Sequence, residues 1–293
     1  MAPAGEFRST VDPRQFHLAL LHKYRLRPDR KLGQHFLVDP VALDRVVSAA
    51  GLSGVETVLE IGAGLGALTD RLAARAREVV AVEYDRRLLA PLQEAVGHRS
   101  NVRLVSADIL EVDLRAYLGS KPYRVVANIP YQITSLLLRR FLERQPVPDR
   151  LVLTIQREVA ERVVSGPGEL SLLALGVQMY GEPSIQGRIP AGSFLPPPGV
   201  DSAILRVDVH AHPVVAQELV EPVFRLARAG FAQKRKKLRN ALAAGLAVST
   251  EEAETRLREA GIDPSARAET LGLPDWQRLA ERWDFKSGGS KAG

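Results

Sequence analysis

The distribution of hydrophobic and polar residues predicts an alternation of strands and helices over the first half of the chain. Mostly apolar runs typical of buried strands lie at 57–62, 78–85, 102–108, 123–128 and 150–156. Between several of them the apolar residues have helical spacing, at 65–76, 86–96 and 134–144. Strands that alternate with amphipathic helices predict right-handed βαβ units and a largely parallel sheet.

A further helix is predicted ahead of the first strand. Asp39 can cap its start, Pro40 suits its first turn and Gly51 ends it. Residues 1–30 show no strong apolar period, and we expect them to include a mobile N-terminal arm.

The pattern changes in the second half of the chain. Glycine- and proline-rich stretches follow residue 166, and VDSAILRVDVH at 200–210 predicts a late antiparallel strand. Helical patterns then follow at 214–229, 231–244, 249–260 and 274–283. The predicted parts are an N-terminal arm at 1–30, an α/β domain at 31–210, a small all-helical domain at 214–285 and a disordered tail at 286–293.

The composition is that of an ordinary globular protein. Of the 293 residues, 45% are hydrophobic and 25% charged, and no apolar run approaches the ~18 residues of a membrane span. The N-terminus lacks a basic start followed by an apolar stretch, so we expect no secretory signal. Because the chain has no cysteine, disulfides, thiolate metal sites and a cysteine nucleophile are excluded, and a cytoplasmic protein is expected.

The formal net charge is +6, and basic residues are concentrated in two clusters, at 22–31 and at 234–239. Such clusters suit contact with a polyphosphate, although a solvated helix face explains either one alone about equally well. A helix across 230–242 would carry the second cluster opposite an apolar stripe of Phe231, Leu238 and Leu242. The candidate phosphate-binding residues are Lys23, Arg25, Arg27, Lys234, Arg235, Lys237 and Arg239.

Three glycines, Gly62, Gly64 and Gly66, follow the first predicted strand directly and precede a helix. Glycine at this point allows a tight turn and a close approach of the backbone to a ligand. Glu83 ends the second strand, where an acid can accept hydrogen bonds from ribose hydroxyls, and Asp108 ends the third, where it could accept from an adenine amino group. Together they predict a nucleoside-containing cofactor, without distinguishing NAD from S-adenosylmethionine.

The fourth strand ends in Asn-Ile-Pro-Tyr, with Asn128 beside the predicted cofactor crevice. The Asn128 side-chain oxygen and the carbonyl of Ile129 or Pro130 could accept both hydrogens of an exocyclic amine, which would direct the nitrogen lone pair at an electrophilic methyl group. Tyr131 offers a face for base stacking, worth ~1–3 kcal/mol. Such a site works by orientation and preorganised acceptors. Taken alone, the motif also fits a simple turn that stops a strand.

The tetrad NIPY, with EIGAG, VEYD and AD, resembles adenine and amine methyltransferases that use S-adenosylmethionine. From about residue 20 to 282, the chain is similar to the ribosomal RNA adenine dimethyltransferase family (KsgA/RsmA). The segments that carry this resemblance are KLGQHFLVDP, NIPYQITS, LTIQREVAERV, FLPPPGVDSAILRV, AGFAQKRKKLRNAL and GIDPSARAETL. It implies a Rossmann-like class I methyltransferase domain followed by a small helical domain.

The resemblance also implies a reaction. Family members dimethylate the 6-amino groups of two adjacent adenosines near the 3′ end of small-subunit (16S) rRNA and contribute to small-subunit maturation. The implied cofactor is S-adenosylmethionine without a metal, and the implied partner is rRNA in the small subunit or its precursor. We expect a monomer, since no pattern indicates an oligomer interface.

The resemblance assigns roles residue by residue. The implied cofactor contacts are His35, Leu37, Gly62, Glu83, Asp108 and Asn128. Asn128 and Tyr131 would meet the target base, with Phe194 as a second stacking face. The family usually has Asn where this chain has His35, and the stretch around 165–170 is shorter here than in the family.

Three alternatives stay open. An Erm-type enzyme, which methylates large-subunit (23S) rRNA and confers macrolide resistance, shares the glycine loop and the tetrad, although the C-terminal helical segments favour the small-subunit family. An RNA-binding ribosome-assembly factor with little catalytic role is a second alternative, against which the intact motifs argue. A small-molecule methyltransferase would leave both basic clusters unexplained.

Overall fold

The structure is a computed structural model that describes residues 12–285. They form two compact units: the first contains 12–160 and 182–209, and the second contains 161–181 and 210–285. The residues at 1–11 of the expected arm and the expected disordered tail at 286–293 lie outside the described residues. None of the helices within 12–285 has the length and apolar character that a bilayer-spanning helix needs.

The first unit is built around a seven-stranded sheet with the strand order β4-β3-β2-β5-β6-β9-β7. Its strands are β2 (Thr57–Ile61), β3 (Glu78–Glu83), β4 (Val102–Ser106), β5 (Tyr123–Asn128), β6 (Arg150–Gln156), β7 (Gly181–Ile189) and β9 (Ser202–Val209). A separate two-stranded antiparallel sheet consists of β1 (Phe36–Leu37) and β8 (Phe194–Leu195). All five strands predicted in the first half are present, with ends within two residues of those expected.

The sheet topology brings the predicted strand ends together. β2 pairs in parallel with β3 on one side and with β5 on the other, and β4 and β6 continue the parallel order outward. β9 pairs antiparallel with β6, as the pattern at 200–210 predicts. Because β3 and β5 lie on opposite sides of β2, the carboxyl edge there opens into a crevice, the usual ligand site of such sheets.

Of the helices α1–α7, four lie where the alternating pattern predicts them, namely α2, α3, α4 and α6, whereas α1, α5 and α7 were not predicted. Their bounds are α1 Pro13–Lys23, α2 Pro40–Ala50, α3 Ala67–Ala73, α4 Leu89–Val96, α5 Arg115–Leu118, α6 Thr134–Glu143 and α7 Arg157–Val164. The caps of α2 are those expected: Asp39 accepts from the backbone of Val41 and Ala42, and Gly51 has a left-handed φ of 63°.

The predicted bounds of the N-terminal arm, 1–30, are too wide, because they include the docked helix α1. Asp12 caps this helix, Pro13 begins it, and His17, Leu20 and Leu21 are buried in the core of the first unit. The helix has only a weak apolar period, and therefore its docking depends on three buried side chains that the pattern does not mark.

The second unit is all-helical, with a core centred on Trp276. Its helices are α8 Leu172–Tyr180, α9 Val220–Phe231, α10 Leu238–Leu246, α11 Thr250–Glu259 and α12 Leu273–Arg282. A Cβ atom added at Gly230 would lie 2.7 Å from the Trp276 ring, so α9 and α12 pack closely. Leu170, Leu175 and Met179 belong to this core. For this reason 161–181 groups with the helical unit, although the sequence pattern assigned it to the α/β domain.

The basic cluster at 234–239 does not lie on one continuous helix, contrary to the prediction for 230–242. α9 ends at Phe231 and α10 begins at Leu238, whose backbone N–H donates to Ala266 O at 2.7 Å. Leu238 and Leu242 are buried and Phe231 packs against Trp276, so the predicted apolar stripe packs into the core as expected. The residues 234–237 between the helices are exposed.

Candidate cofactor and substrate site

A cavity of about 280 Å³ lies at the carboxyl edge of the parallel strands, near the lower end of the usual range for ligand pockets. Its wall is formed by residues 31–36 and by the segments that follow β2, β3, β4 and β5. Six residues with predicted roles line it: His35, Gly62, Glu83, Asp108, Asn128 and Tyr131.

The glycine loop after β2 has a conformation that requires glycine. Gly62 and Gly64 have φ values of 71° and 58°. A Cβ atom at Gly64 would lie 3.0 Å from the Phe36 ring, and one at Gly62 would lie 3.5 Å from Asn128 O. The loop therefore keeps its backbone close to the ends of β3 and β5, and Gly64 N donates to Glu83 Oε2 at 2.8 Å.

Glu83 is 6% exposed and is held by backbone N–H groups on both carboxylate oxygens. Gly64 N donates to Oε2, and Asp85 N donates to Oε1, each at 2.8 Å. Burial raises the pKa of Glu83, while these hydrogen bonds act in the opposite direction. Each oxygen retains a lone pair, so the carboxylate fits the task of accepting from two adjacent ribose hydroxyls.

Asp108 and its neighbours line the cavity at the end of β4. Asp108 Oδ1 accepts from Leu110 N at 2.8 Å, which fixes the carboxylate and leaves Oδ2 for an amino group. Ile109 and Tyr84 also line the cavity, and Tyr84 is 61% exposed. Sequence reasoning missed Tyr84 as a candidate ligand face. The available signal was an aromatic residue next to the acid in VEYD.

Asn128 is half-buried at the end of β5. Its Nδ2 donates to His35 O at 2.9 Å, which orients the side-chain amide. With the donor group occupied, Oδ1 is the group that can accept a hydrogen bond from a substrate. Asn128 lies opposite Thr154 in the sheet, and Ile129 and Pro130 continue the cavity wall.

Tyr131 and His35 form a fixed pair in the cavity wall. Their rings stack with centroids 6.2 Å apart and planes inclined by 17°. His35 Nδ1 donates to Pro196 O at 2.8 Å, and the Tyr131 hydroxyl is hydrogen-bonded to Ser202 Oγ at 2.8 Å. Burial raises the pKa of Tyr131. His35 therefore supports Tyr131 in addition to lining the cavity.

Leu37 and Phe194 are not brought into the cavity, which corrects two predicted site residues. They lie opposite each other in the β1–β8 pair and are buried in the core. Adjacent residues of a strand point to opposite faces. In β1 the residue that lines the cavity is Phe36, so its neighbour Leu37 does not. A fully buried Phe194 offers no face for a base in this arrangement.

Glu60 is a buried carboxyl group that sequence reasoning did not select. It lies in β2, two residues before Gly62, and is 1% exposed. Burial raises its pKa to about 8, and the Glu83 carboxylate adds to the increase. Glu60 is therefore largely protonated at neutral pH.

Two of the predicted RNA-contact residues form ion pairs with acidic residues. Lys23 Nζ lies 2.7 Å from Glu94 Oε2, and Arg239 Nη1 lies 2.7 Å from Glu254 Oε2. Both side chains therefore already have an acidic partner within their own unit, which weakens their predicted role. The other five are exposed: Arg25 and Arg27 in the first unit, and Lys234, Arg235 and Lys237 in the second.

The chain is similar over most of its length to known ribosomal RNA methyltransferases. A family model described as ribosomal RNA adenine dimethylase matches residues 26–284. The chain is 43% identical over 261 residues to the ribosomal RNA small subunit methyltransferase A of Dehalococcoides mccartyi strain CBDB1, covering 89% of this chain and 90% of that one. It is 37% identical over 270 residues to the protein of the same name from Alkaliphilus metalliredigens strain QYMF, covering 90% and 94%.

Two solved structures share the fold. The 23S rRNA methyltransferase ErmE is 29% identical with a TM-score of 0.69, covering 84% of this chain and 98% of that chain. A dimethyladenosine transferase from Plasmodium falciparum is 24% identical with a TM-score of 0.71, covering 84% and 96%. The predicted α/β class I methyltransferase fold with a helical C-terminal region is confirmed. The chain belongs to the ribosomal RNA adenine dimethylase family.

Proposed function

We propose that this protein is an enzyme that transfers methyl groups from S-adenosylmethionine to the 6-amino groups of two adjacent adenosines near the 3′ end of small-subunit (16S) rRNA, during maturation of that subunit. The observation that carries the proposal is the hydrogen bond from Asn128 Nδ2 to His35 O, at 2.9 Å. It leaves the Asn128 oxygen as an acceptor in the same cavity as Glu83 and Asp108.

The residues of the cavity fit the proposed cofactor. Glu83 would accept from the ribose hydroxyls and Asp108 from the adenine amino group, and Gly62 and Gly64 allow the backbone to approach the amino-acid part. Tyr84 adds an exposed aromatic face to the same wall. When bound, S-adenosylmethionine supplies a methyl group on a sulfonium sulfur. A sulfonium methyl is electrophilic by itself, so the proposal includes no metal.

Asn128 would act on the target base through orientation. The lone pair of an adenine 6-amino group is delocalised into the ring, which makes the nitrogen a poor nucleophile. The Asn128 Oδ1 atom and the carbonyl of Ile129 or Pro130 would accept its two hydrogens, so that the nitrogen becomes pyramidal with its lone pair toward the methyl group. These acceptors would hold the amine, the bound cofactor would supply the methyl group, and the proton that the substituted nitrogen loses would pass to solvent. Preorganised acceptors of this kind need no strong base.

Tyr131 would hold the base in place. The Ser202 hydrogen bond and the His35 ring fix its side chain, so little conformational entropy is lost when a base stacks on it. Stacking of one base on an aromatic side chain contributes ~1–3 kcal/mol.

The proposed RNA contacts are the exposed members of the two basic clusters. Arg25 and Arg27 belong to the first unit, and Lys234, Arg235 and Lys237 to the second. Each phosphate contact adds roughly 0.7 to 0.9 to the slope of log affinity against log salt concentration. Because rRNA is the substrate, we also place the protein in the cytoplasm, where small subunits mature, and propose that it acts as a monomer.

A second candidate is methylation of 23S rRNA, which the structural similarity to ErmE favours. The higher identity to the small-subunit methyltransferases, over nine-tenths of their length, favours the 16S substrate.

Incubation of undermethylated small and large subunits with S-adenosylmethionine, followed by mass mapping of methylated adenines, separates the two. We expect two dimethylated adenosines near the 3′ end of 16S rRNA. Methyl label only in the large subunit would overturn the proposal, and no label in either would favour an assembly factor without catalysis.

A further inference from the structure

Four residues form a closed hydrogen-bonded ring beside the cavity, which we call the clamp: Asp29, which takes part through its backbone N–H and its carboxylate, and the side chains of Gln34, Asp85 and Arg87. Gln34 Oε1 accepts from Asp29 N at 2.8 Å, and Gln34 Nε2 donates to Asp85 Oδ2 at 2.8 Å. Arg87 closes the ring, because its Nη2 lies 2.7 Å from Asp85 Oδ2 and 3.1 Å from Asp29 Oδ2. The clamp thereby joins the segment before β1 to the segment after β3.

On one side, the clamp touches the groups proposed to bind cofactor and substrate. The backbone N–H of Asp85 donates to Glu83 Oε1 at 2.8 Å. Gln34 lines the cavity itself, and the next residue, His35, provides the carbonyl that orients Asn128. A displacement of the clamp would therefore also displace Glu83, the proposed ribose acceptor, and Asn128, the proposed catalytic amide.

On its other side, the clamp organises the basic loop, which we define as residues 25–31. Asp29 Oδ1 accepts from Lys31 N at 2.9 Å, and Asp29 O accepts from Gln34 N at 3.1 Å. The exposed Arg25 and Arg27 precede Asp29 in the same loop. The position of these proposed phosphate contacts therefore depends on a residue of the clamp.

The clamp holds a buried carboxylate through bonds to two partners. Asp85 is 7% exposed, and Arg87, followed by Gln34, lowers its pKa. Breaking its bonds to both partners would leave a buried carboxylate without the groups that stabilise it, which is strongly unfavourable. Neither Asp85 nor Arg87 lines the cavity, so their contribution to ligand binding is indirect.

We propose that the clamp couples the two binding events of this enzyme. A cofactor that engages Glu83 stabilises the clamp and with it the basic loop, so that cofactor and RNA each strengthen the binding of the other by the same factor. This inference rests on the proposed function, in which the cavity takes S-adenosylmethionine and the basic loop takes RNA. Gln34, Asp85 and Arg87 are thus positioning residues.

Isothermal titration calorimetry with S-adenosylhomocysteine tests the proposal, in the absence and presence of an RNA fragment that contains the 3′ end of 16S rRNA. For the unsubstituted full-length protein we expect the RNA to tighten binding at least ~5-fold, the lower end of ordinary coupling factors. In Arg87→Ala we expect this factor to approach one, while S-adenosylhomocysteine still binds. Asp29→Asn, which retains the size of the side chain, is a second variant in case Arg87→Ala does not fold.

The matched control is Arg71→Ala. Arg71 Nε lies 3.0 Å from Asp44 Oδ1, so this variant loses an arginine–aspartate pair in the same unit but outside the clamp, and it should keep the full coupling factor. No coupling in the unsubstituted protein, or coupling retained in the clamp variants, overturns the inference alone. Failure of the unsubstituted protein to bind S-adenosylhomocysteine overturns the proposed function instead.

Discussion

The ring of His35 stacks against the ring of Tyr131, and each ring is fixed by a hydrogen bond at its polar end. His35 Nδ1 donates to Pro196 O, and the Tyr131 hydroxyl is bound to Ser202 Oγ. A base that stacks on Tyr131 must use the face that His35 does not cover. In this arrangement His35 supports the Tyr131 ring from one side.

Replacement of His35 by alanine should lower kcat/KM for rRNA by about 2- to 10-fold, because an aromatic pair contributes roughly 0.5–1.5 kcal/mol beyond its buried area. His35→Asn keeps an N–H donor for Pro196 O and should lose less. Methylation rates on undermethylated small subunits measure both. Equal rates for His35→Ala and the unsubstituted protein would contradict the supporting role.

Replacement of Asn128 by alanine should lower the rate of methyl transfer much more than the affinity for S-adenosylmethionine. We expect S-adenosylmethionine affinity to change by no more than a few-fold, since Glu83 and Asp108 are untouched. Methyl transfer should fall by about 10²- to 10³-fold, the loss typical when one preorganised hydrogen-bonding group is removed from a catalytic site. Single-turnover methylation and calorimetry provide the two readouts. Asn240→Ala, at an exposed position of the second unit, is the control.

The buried His17 should make stability fall in mild acid. Its two ring nitrogens have no hydrogen-bond partner in the described part of the chain, and burial, with a smaller effect from Arg71, lowers its pKa from 6.5 to about 4. The pKa of His17 is lower in the folded protein than in the unfolded one. Above pH 6.5 the ring is therefore neutral in both states, and its burial costs no stability through protonation. The cost of protonation grows as the pH falls from 6.5 toward 4.

Between pH 7 and pH 5 the loss of unfolding free energy attributable to His17 should be roughly 2 kcal/mol. Urea unfolding at both pH values measures it. His17→Leu, which retains an apolar side chain at the buried position, should remove this part of the pH dependence. An unchanged pH dependence in that variant would exclude His17 as its source.

The buried Glu60 should have the opposite dependence. The pKa of Glu60 in the folded protein, about 8, lies above the ordinary value of 4.5. The contribution of Glu60 to the free energy of unfolding is therefore fully present below pH 4.5 and is lost as the pH rises from 4.5 to 8. Glu60→Gln, which stays neutral, should gain stability relative to the unsubstituted protein by roughly 1 kcal/mol per pH unit in that window. Thermal unfolding at pH 5 and pH 8 provides the comparison, and a constant difference between the two proteins would refute the assignment.

In the second basic cluster, at 234–239, some residues should bind RNA and others should stabilise the fold. Lys234 and Arg235 are exposed, and their joint replacement by alanine should lower the salt slope of RNA binding by about 1.4 to 1.8 without changing the melting temperature. Arg239→Ala removes the ion pair with Glu254 and should lower the melting temperature with little effect on the slope. RNA binding at several salt concentrations, together with thermal unfolding, tests both expectations.

The order of strands and helices in the first unit was predictable because its determinants are local. Strands of a parallel sheet are covered on both faces and therefore appear as continuous apolar runs, and Asp39 and Gly51 mark the ends of α2 by their own capping chemistry. The cavity residues Gly62, Glu83 and Asp108 were predictable for a related reason. They end parallel strands, and such ends meet at one edge of a sheet.

Other features were decided by contacts between residues far apart in the sequence. α1 docks through His17, Leu20 and Leu21 without a strong apolar period, and Leu238 begins α10 because its backbone meets Ala266. The spacing of apolar residues within a segment does not indicate which distant residues that segment will contact. The burial of Phe194 likewise follows from its pairing with Leu37 in a strand of two residues, which is too short to show alternation.

The sheet, the cavity at its carboxyl edge and the Asn-Ile-Pro-Tyr turn could be predicted from the sequence, because strand periodicity, glycine geometry and strand-end chemistry are all local. The support of the turn could not be predicted, because it depends on tertiary contacts. The orientation of Asn128 comes from the carbonyl of His35, and the position of that segment comes from the bond between Gln34 and Asp85. Each of these contacts joins residues more than fifty positions apart, a distance over which only folding can bring side chains together.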